Sequence, residues 1–163
     1  MSRNSHTRIA TRPAFGFTLV ELMVTIAVAA ILIAVALPSF QRMTANNTIT
    51  NTYYDLMAAL RNARAEAVSR GAPVRVKATS TQWSDGWSVL TSDDTELRTY
   101  PARDPKYKVT TSPSGTNEVQ FNSRGAIASQ VCFTLKDQSG TGSKVAHITI
   151  LASGSVHTSS SCP

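Results

Sequence analysis

Charge is scarce in this chain, and acid is scarcer than base. Asp, Glu, Lys and Arg make up 16% of the 163 residues, against about 25% in an average soluble protein. Arg3, Arg8 and Arg12 lie in an acid-free stretch before Gly16, so the remainder holds thirteen bases against ten acids. So mild a balance excludes a protein that coats nucleic acid by charge alone. Cysteine is scarcer still: Cys132 and Cys162 stand alone, with no CxxC pair and no Cys/His cluster at zinc spacing. That excludes a zinc finger, an iron–sulfur site and a thioredoxin-type redox centre. Also missing are GxSxG, HExxH, a phosphate-binding glycine loop and any Ser/His/Asp set. No catalytic residue, metal or cofactor is therefore expected. His147 and His157 alternate with apolar neighbours and read as ordinary strand histidines. No internal repeat is visible. Serine and threonine, in contrast, total 39 residues, an enrichment that suits strands and turns better than a helical bundle.

The missing charge is concentrated at the front. Phe17 to Leu37 reads FTLVELMVTIAVAAILIAVAL, with Glu21 as its single ionisable side chain. As a helix at ~1.5 Å per residue, the run spans about 30 Å, the hydrocarbon thickness of a bilayer. A buried core helix can be as apolar, but a domain this small rarely encloses a helix on all sides. Three arginines precede the run and Pro38 follows it, so the positive-inside rule places Met1 to Gly16 in the cytoplasm and the rest across the membrane. Ala34-Val35-Ala36 satisfies the A-x-A pattern of a cleaved signal peptide. The run, however, exceeds the ~7–15 apolar residues of such signals and carries an acid near its start. A carboxylate at the bilayer centre costs roughly 2.5–3.5 kcal/mol, less near an interface. Glu21 either snorkels to the headgroups or has a partner.

Gly16-Phe17-Thr18-Leu19-Val20-Glu21, behind a short basic leader and ahead of the apolar run, resembles the class III signal of type IV pilins and pseudopilins. The resemblance implies that a membrane-embedded prepilin peptidase cuts after Gly16, removing residues 1–16, and methylates the new amino terminus at Phe17. The apolar run would then remain as an anchor. Glycine before the cut leaves the backbone open to the peptidase. The freed Phe17 amine is a cation at hydrocarbon depth, where Glu21 of an adjacent subunit can pair with it. In a low dielectric an unpaired charge is costly, so the pairing favours addition of subunits in register.

Beyond Pro38, whose ring blocks the bond to the Ala34 carbonyl and is expected to bend the helix, helical periodicity resumes to about Ser69. Leu56, Leu60, Ala63 and Ala67 form its apolar stripe, with Arg61, Arg64 and Arg70 on other faces. Gly71 and Pro73 give the stop signal. Strands are expected at 74–78, 86–90, 118–121, 131–135 and 145–151, separated by polar turns. The predicted fold is α+β: a long N-terminal helix, transmembrane in its first half, packed on an antiparallel β-sheet head. Residues 17–38 form the transmembrane and assembly segment, 39–70 the amphipathic half of the helix and 71–163 a periplasmic head. A core this small benefits from a staple. Cys132 and Cys162 can supply a disulfide in an oxidising compartment, with two buried free thiols as the alternative.

Leu60 to Val74, Asp85-Gly86-Trp87, Phe121-Asn122-Ser123-Arg124-Gly125 and a cysteine at the extreme C-terminus resemble the minor pseudopilins of the FimT/GspH type. That resemblance implies a structural subunit of the inner membrane, single-pass, which primes or tips a type IV pilus or a type II secretion pseudopilus. Its partners would be other pilins or pseudopilins, met through the N-terminal helix, the prepilin peptidase and an inner-membrane assembly platform. The competing expectation is a DNA-uptake minor pilin. The family motif for that role, Gly-Arg-x-Arg, matches here to Gly154-Ser155-Val156-His157, with both arginines absent. A second candidate for DNA is Arg98, Arg103, Lys106 and Lys108, with Tyr100 and Tyr107 interleaved. Glu96 and Asp104 dilute that run, and a solvated polar loop is the favoured reading of it.

Overall fold

A computed structural model describes residues 16–162. One helix, α1 (Leu19–Arg70), is followed by eight strands: β1 (Val74–Ala78), β2 (Trp87–Thr91), β3 (Glu96–Tyr100), β4 (Tyr107–Ser112), β5 (Glu118–Phe121), β6 (Val131–Asp137), β7 (Val145–Ile150) and β8 (Val156–Ser159). The chain divides into two units at Pro38. In the first unit, every described residue from Gly16 to Pro38 is exposed.

The second unit holds the core. Helix α1 buries Ala45, Ile49, Thr52, Leu56, Met57, Ala59, Leu60, Ala63 and Ala67, a stripe three and four residues apart that contains the four positions expected from periodicity. The stripe holds small side chains at 59, 63 and 67. The helix ends as its sequence requires. Gly71 takes a φ of +63°, its N–H donates to the Val68 carbonyl and that of Ala72 to the Ala67 carbonyl. These are the paired bonds of a glycine-terminated C-cap, and Pro73 then prevents resumption.

The strands form two antiparallel four-stranded sheets, in the orders β3-β2-β1-β5 and β4-β6-β7-β8. Trp87, Val76 and Phe121 from the first and Phe133, Leu135, Ile148 and Ile150 from the second are fully buried and complete the core around the helix stripe. The five expected strands are all present, within a residue or two at their ends. Three others, β3, β4 and β8, were not expected. The run from Arg98 to Lys108, read from sequence as a solvated polar loop, is instead the end of β3, a linking turn and the start of β4. β3 and β8 are outermost strands with a single neighbour each, so both their faces stay largely wet and their sequences show little alternation. β4 does alternate, with Tyr107 and Val109 buried, but its lysines and threonines mask the pattern.

Cys132 and Cys162 are joined by a disulfide with a Cα–Cα distance of 5.6 Å. The bridge ties the end of the chain to β6, in the middle of the second sheet.

Candidate functional site

The N-terminal turn of α1 is built by Thr18. The Glu21 backbone N–H donates to Thr18 Oγ1 at 3.1 Å, and the Leu22 N–H donates to the Thr18 carbonyl at 3.1 Å. Thr18 is therefore the N-cap and Glu21 the third helical residue, the spacing of the T-x-x-E capping signature. The sequence carries this capping signature within the same residues as the Gly16–Glu21 leader motif. A carboxylate here also faces the positive end of the helix dipole. Gly16 and Glu21 are exposed, Phe17 is 80% exposed, and the apolar side chains that follow, such as Leu19, Ile26, Ile31 and Val35, are all more than half exposed. Monomeric soluble proteins rarely leave so large an apolar surface bare. α1 is long and apolar enough to cross a membrane, with a mean hydropathy of 2.7 over its most apolar window. Pro38 lies inside α1, which continues through it with one backbone donor fewer.

The basic run of the head is engaged with its own protein. The Arg103 guanidinium pairs with Asp55 of α1 and lies 6.0 Å from the Trp87 ring centroid, while its backbone N–H donates to the Ser84 carbonyl at 2.8 Å. Lys106 pairs with Asp104 at 3.2 Å and lies over the Tyr107 ring at 5.1 Å. The Lys106 backbone N–H and ammonium hold the Asp104 carboxyl below the usual carboxylate range, and Asp104 in turn raises Lys106. Lys108 donates to Gln82 Oε1 at 3.0 Å. Arg98, on β3, is exposed beside Tyr100 and Leu97. The four cations thus divide between a strand edge, a turn and a second sheet, and Arg103 is a tether between the head's loop and its helix. Tyr100 stacks on Trp87 at 5.3 Å between ring centroids, and Tyr107 is buried, so neither ring is free to stack on a base.

The Gly154 turn also has an internal explanation. Gly154 has a φ of +79°, and a Cβ there would lie 1.6 Å from the Gly125 carbonyl oxygen. Two loops cross at this point, and Arg64 of α1 clamps both, donating from Nε to Gly125 O at 3.1 Å and from Nη2 to Ser153 O at 3.2 Å. Periodicity sets Arg64 off the apolar stripe, on a face that nonetheless meets these loops. Its partners are backbone carbonyls, which leave no residue-type signature. His157 is exposed on β8, and among the described residues no three His, Cys, Asp or Glu side chains converge on one point.

Comparison with known proteins agrees with this geometry. A family model described as the prokaryotic N-terminal methylation motif matches residues 11–37, and one described as type II transport protein GspH matches residues 54–154. Two curated relatives from Pseudomonas aeruginosa, both named fimbrial protein, are each 29% identical over 137 residues, covering 83% of this chain and 77% of the relative. Two crystal structures of the type IV minor pilin FimU from Pseudomonas aeruginosa share the fold at 19% identity. Their TM-scores are 0.60 and 0.58, over 72% and 68% of this chain and 92% and 91% of theirs. With a capped apolar helix at its front and a match running from the second half of α1 to the Gly154 turn, the chain belongs to the GspH family of type II transport proteins.

Proposed function

We propose that the chain is a structural minor pilin or pseudopilin, processed after Gly16 and methylated at Phe17, that primes or tips a type IV pilus or a type II secretion pseudopilus. One observation carries the reading. The apolar stretch from Phe17 to Leu37 is exposed throughout, carries a single ionisable side chain at Glu21, and begins on a turn capped by Thr18 in which this acid is the third helical residue. Such a segment requires either lipid or other copies of the same kind of helix around it. In lipid it anchors the head across the inner membrane. In a fibre it packs against neighbouring pilins, and the Phe17 amine of one subunit pairs with Glu21 of the next. The prepilin peptidase and an assembly platform are the partners this sequence of events requires. Of the four candidate DNA-binding cations, Arg103, Lys106 and Lys108 are engaged with internal partners, which supports a scaffold rather than a DNA receptor.

Intact-mass measurement of protein extracted from membranes tests the proposal. The expected mass lacks the first sixteen residues and gains one methyl group, and a bulky residue at Gly16 accumulates precursor. A mature chain starting at Leu37 would show ordinary signal-peptide cleavage and end the anchor reading.

A further inference from the structure

The outward face of the second sheet carries a polar cluster around the disulfide. Opposite the buried Phe133 and Ile148, strand alternation places Cys132 and Thr134 of β6, His147 and Thr149 of β7, and Ser159 of β8. The Cys132–Cys162 bridge lies among them. Thr149 Oγ1 donates to Cys132 Sγ at 3.2 Å and shares a 2.8 Å hydrogen bond with Ser159 Oγ. Thr134 Oγ1 lies 3.2 Å from Cys162 Sγ and 3.0 Å from His147 Nδ1, which is itself 3.7 Å from the same sulfur. Access divides the two sulfurs: Cys132 is 1% exposed, whereas Cys162 is only half-buried. A bridge that serves only as a cross-link has no need of these donors. Hydroxyl and imidazole groups beside a sulfur stabilise its thiolate, the form that attacks and leaves in exchange reactions. The other titratable groups at outward positions of the four strands are Lys108, Lys136 and His157, all basic, and no outward position holds a carboxylate.

We propose that the Cys132–Cys162 pair is a thiol–disulfide exchange site, with Cys162 the entry sulfur, His147 and Thr134 its activating pair, and Cys132 the protected resolving sulfur. In the closing direction Cys162 passes its proton to His147, and the thiolate attacks an external disulfide, RSSR. A Cys162–SR bond forms and RS⁻ leaves. Cys132 then attacks the Cys162 sulfur, closing the bridge and expelling the second RS⁻, and the two departing thiolates take up the two protons. Two protein thiols are oxidised and one external disulfide is reduced to two thiols. In the opening direction an external thiolate attacks Cys162, and the Cys132 thiolate leaves with the Thr149 hydroxyl to receive it.

The test uses the full chain in mild detergent, with oxidised glutathione as the external disulfide. In Cys132→Ser a single glutathione adduct on Cys162 is expected by intact mass and peptide mapping. In Cys162→Ser, Cys132 stays unmodified over the same time. In the Cys132→Ser background, His147→Gln lowers the rate of adduct formation at pH 7 about threefold, because part of the lost thiolate fraction is offset by greater nucleophilicity. It also moves the pH at which Cys162 reacts half-maximally upward. Thr134→Val, which keeps the imidazole, gives a smaller change in the same direction and serves if His147→Gln does not fold. Capture of glutathione by Cys132 as fast as by Cys162 would overturn the proposal, as would a rate and pH profile indifferent to both His147→Gln and Thr134→Val.

Discussion

Thr18 and Glu21 share one helical turn, so substitutions must separate the cap from the charge. Glutamine at the third helical position serves a capping box as glutamate does, whereas alanine serves neither role. Glu21→Gln is therefore expected to insert into membranes and keep its helix start but to enter fibres poorly, because the neighbour's amine loses its counter-charge. Thr18→Ala is expected to loosen the first turn by about 0.5–2 kcal/mol and leave the charge in place. Comparing sheared-fibre and membrane fractions for the two variants checks this, and wild-type incorporation of Glu21→Gln would mean that the acid merely snorkels. A second residue-scale prediction concerns Arg64. Hydrogen bonds from a charged group are worth about 1.5–3 kcal/mol, and Arg64 clamps the crossing of the Gly125 and Gly154 loops, which the Ile127 N–H also ties by donating to the Ala152 carbonyl at 3.0 Å. Arg64→Ala should lower the denaturant midpoint of the head by an amount in that range. Gly154→Ala should be worse, since its Cβ meets the Gly125 carbonyl rather than a movable side chain. The acid in the apolar run was legible because it contrasts with everything near it. Arg64 was not, because a backbone carbonyl can belong to any residue.

At the level of elements, legibility followed burial on one face. β1 alternates between core and solvent, and β6 and β7 turn Phe133, Leu135, Ile148 and Ile150 to the core at every second position, so their sequences alternate too. β3 and β8 lie at sheet edges, β3 reading Glu-Leu-Arg-Thr-Tyr with only Leu97 and Tyr100 half-buried, and no period survives. The helix end, expected at about Ser69 and found at Arg70, was legible because Gly71 and Pro73 act through the backbone itself. The pairing of strands into two sheets was not, since register depends on contacts distant in sequence. The disulfide joins two such distant parts, 30 positions apart in sequence. Closing a loop of that size should stabilise the head by roughly 3–4 kcal/mol on the chain-entropy account. The Cys132→Ser/Cys162→Ser double variant is accordingly expected to lower unfolding free energy by about that amount in a urea titration. A loss well under 1 kcal/mol would show that β6 and β8 hold the chain end unaided.

The chain joins a weakly basic second unit to a strongly apolar N-terminal segment, and the balance bears directly on the rival reading as a DNA receptor. From Arg42 onward the chain has thirteen basic and nine acidic residues, enough to retain duplex DNA at low salt without any dedicated site. The structure changes how that rival should be tested. Charge reversal at Arg103 would break the tether to Asp55 and expose the Trp87 face, so lost DNA retention in that variant would report misfolding. Lys106→Glu and Lys108→Glu, together with Arg98→Glu on the exposed strand edge, remove cations that the core does not need. Neutralising three or four phosphates gives a log–log salt slope of only about −3 to −4. The full chain in non-ionic detergent is therefore expected to release DNA almost entirely at about 150 mM salt, without sequence preference. The triple variant should lower low-salt retention and keep its melting temperature, while His157→Ala at pH 7.5 changes little. DNA held tightly at physiological salt by the wild type and lost by a stably folded triple variant would reverse the ranking. The head would then be a DNA-binding tip carried on the same anchor.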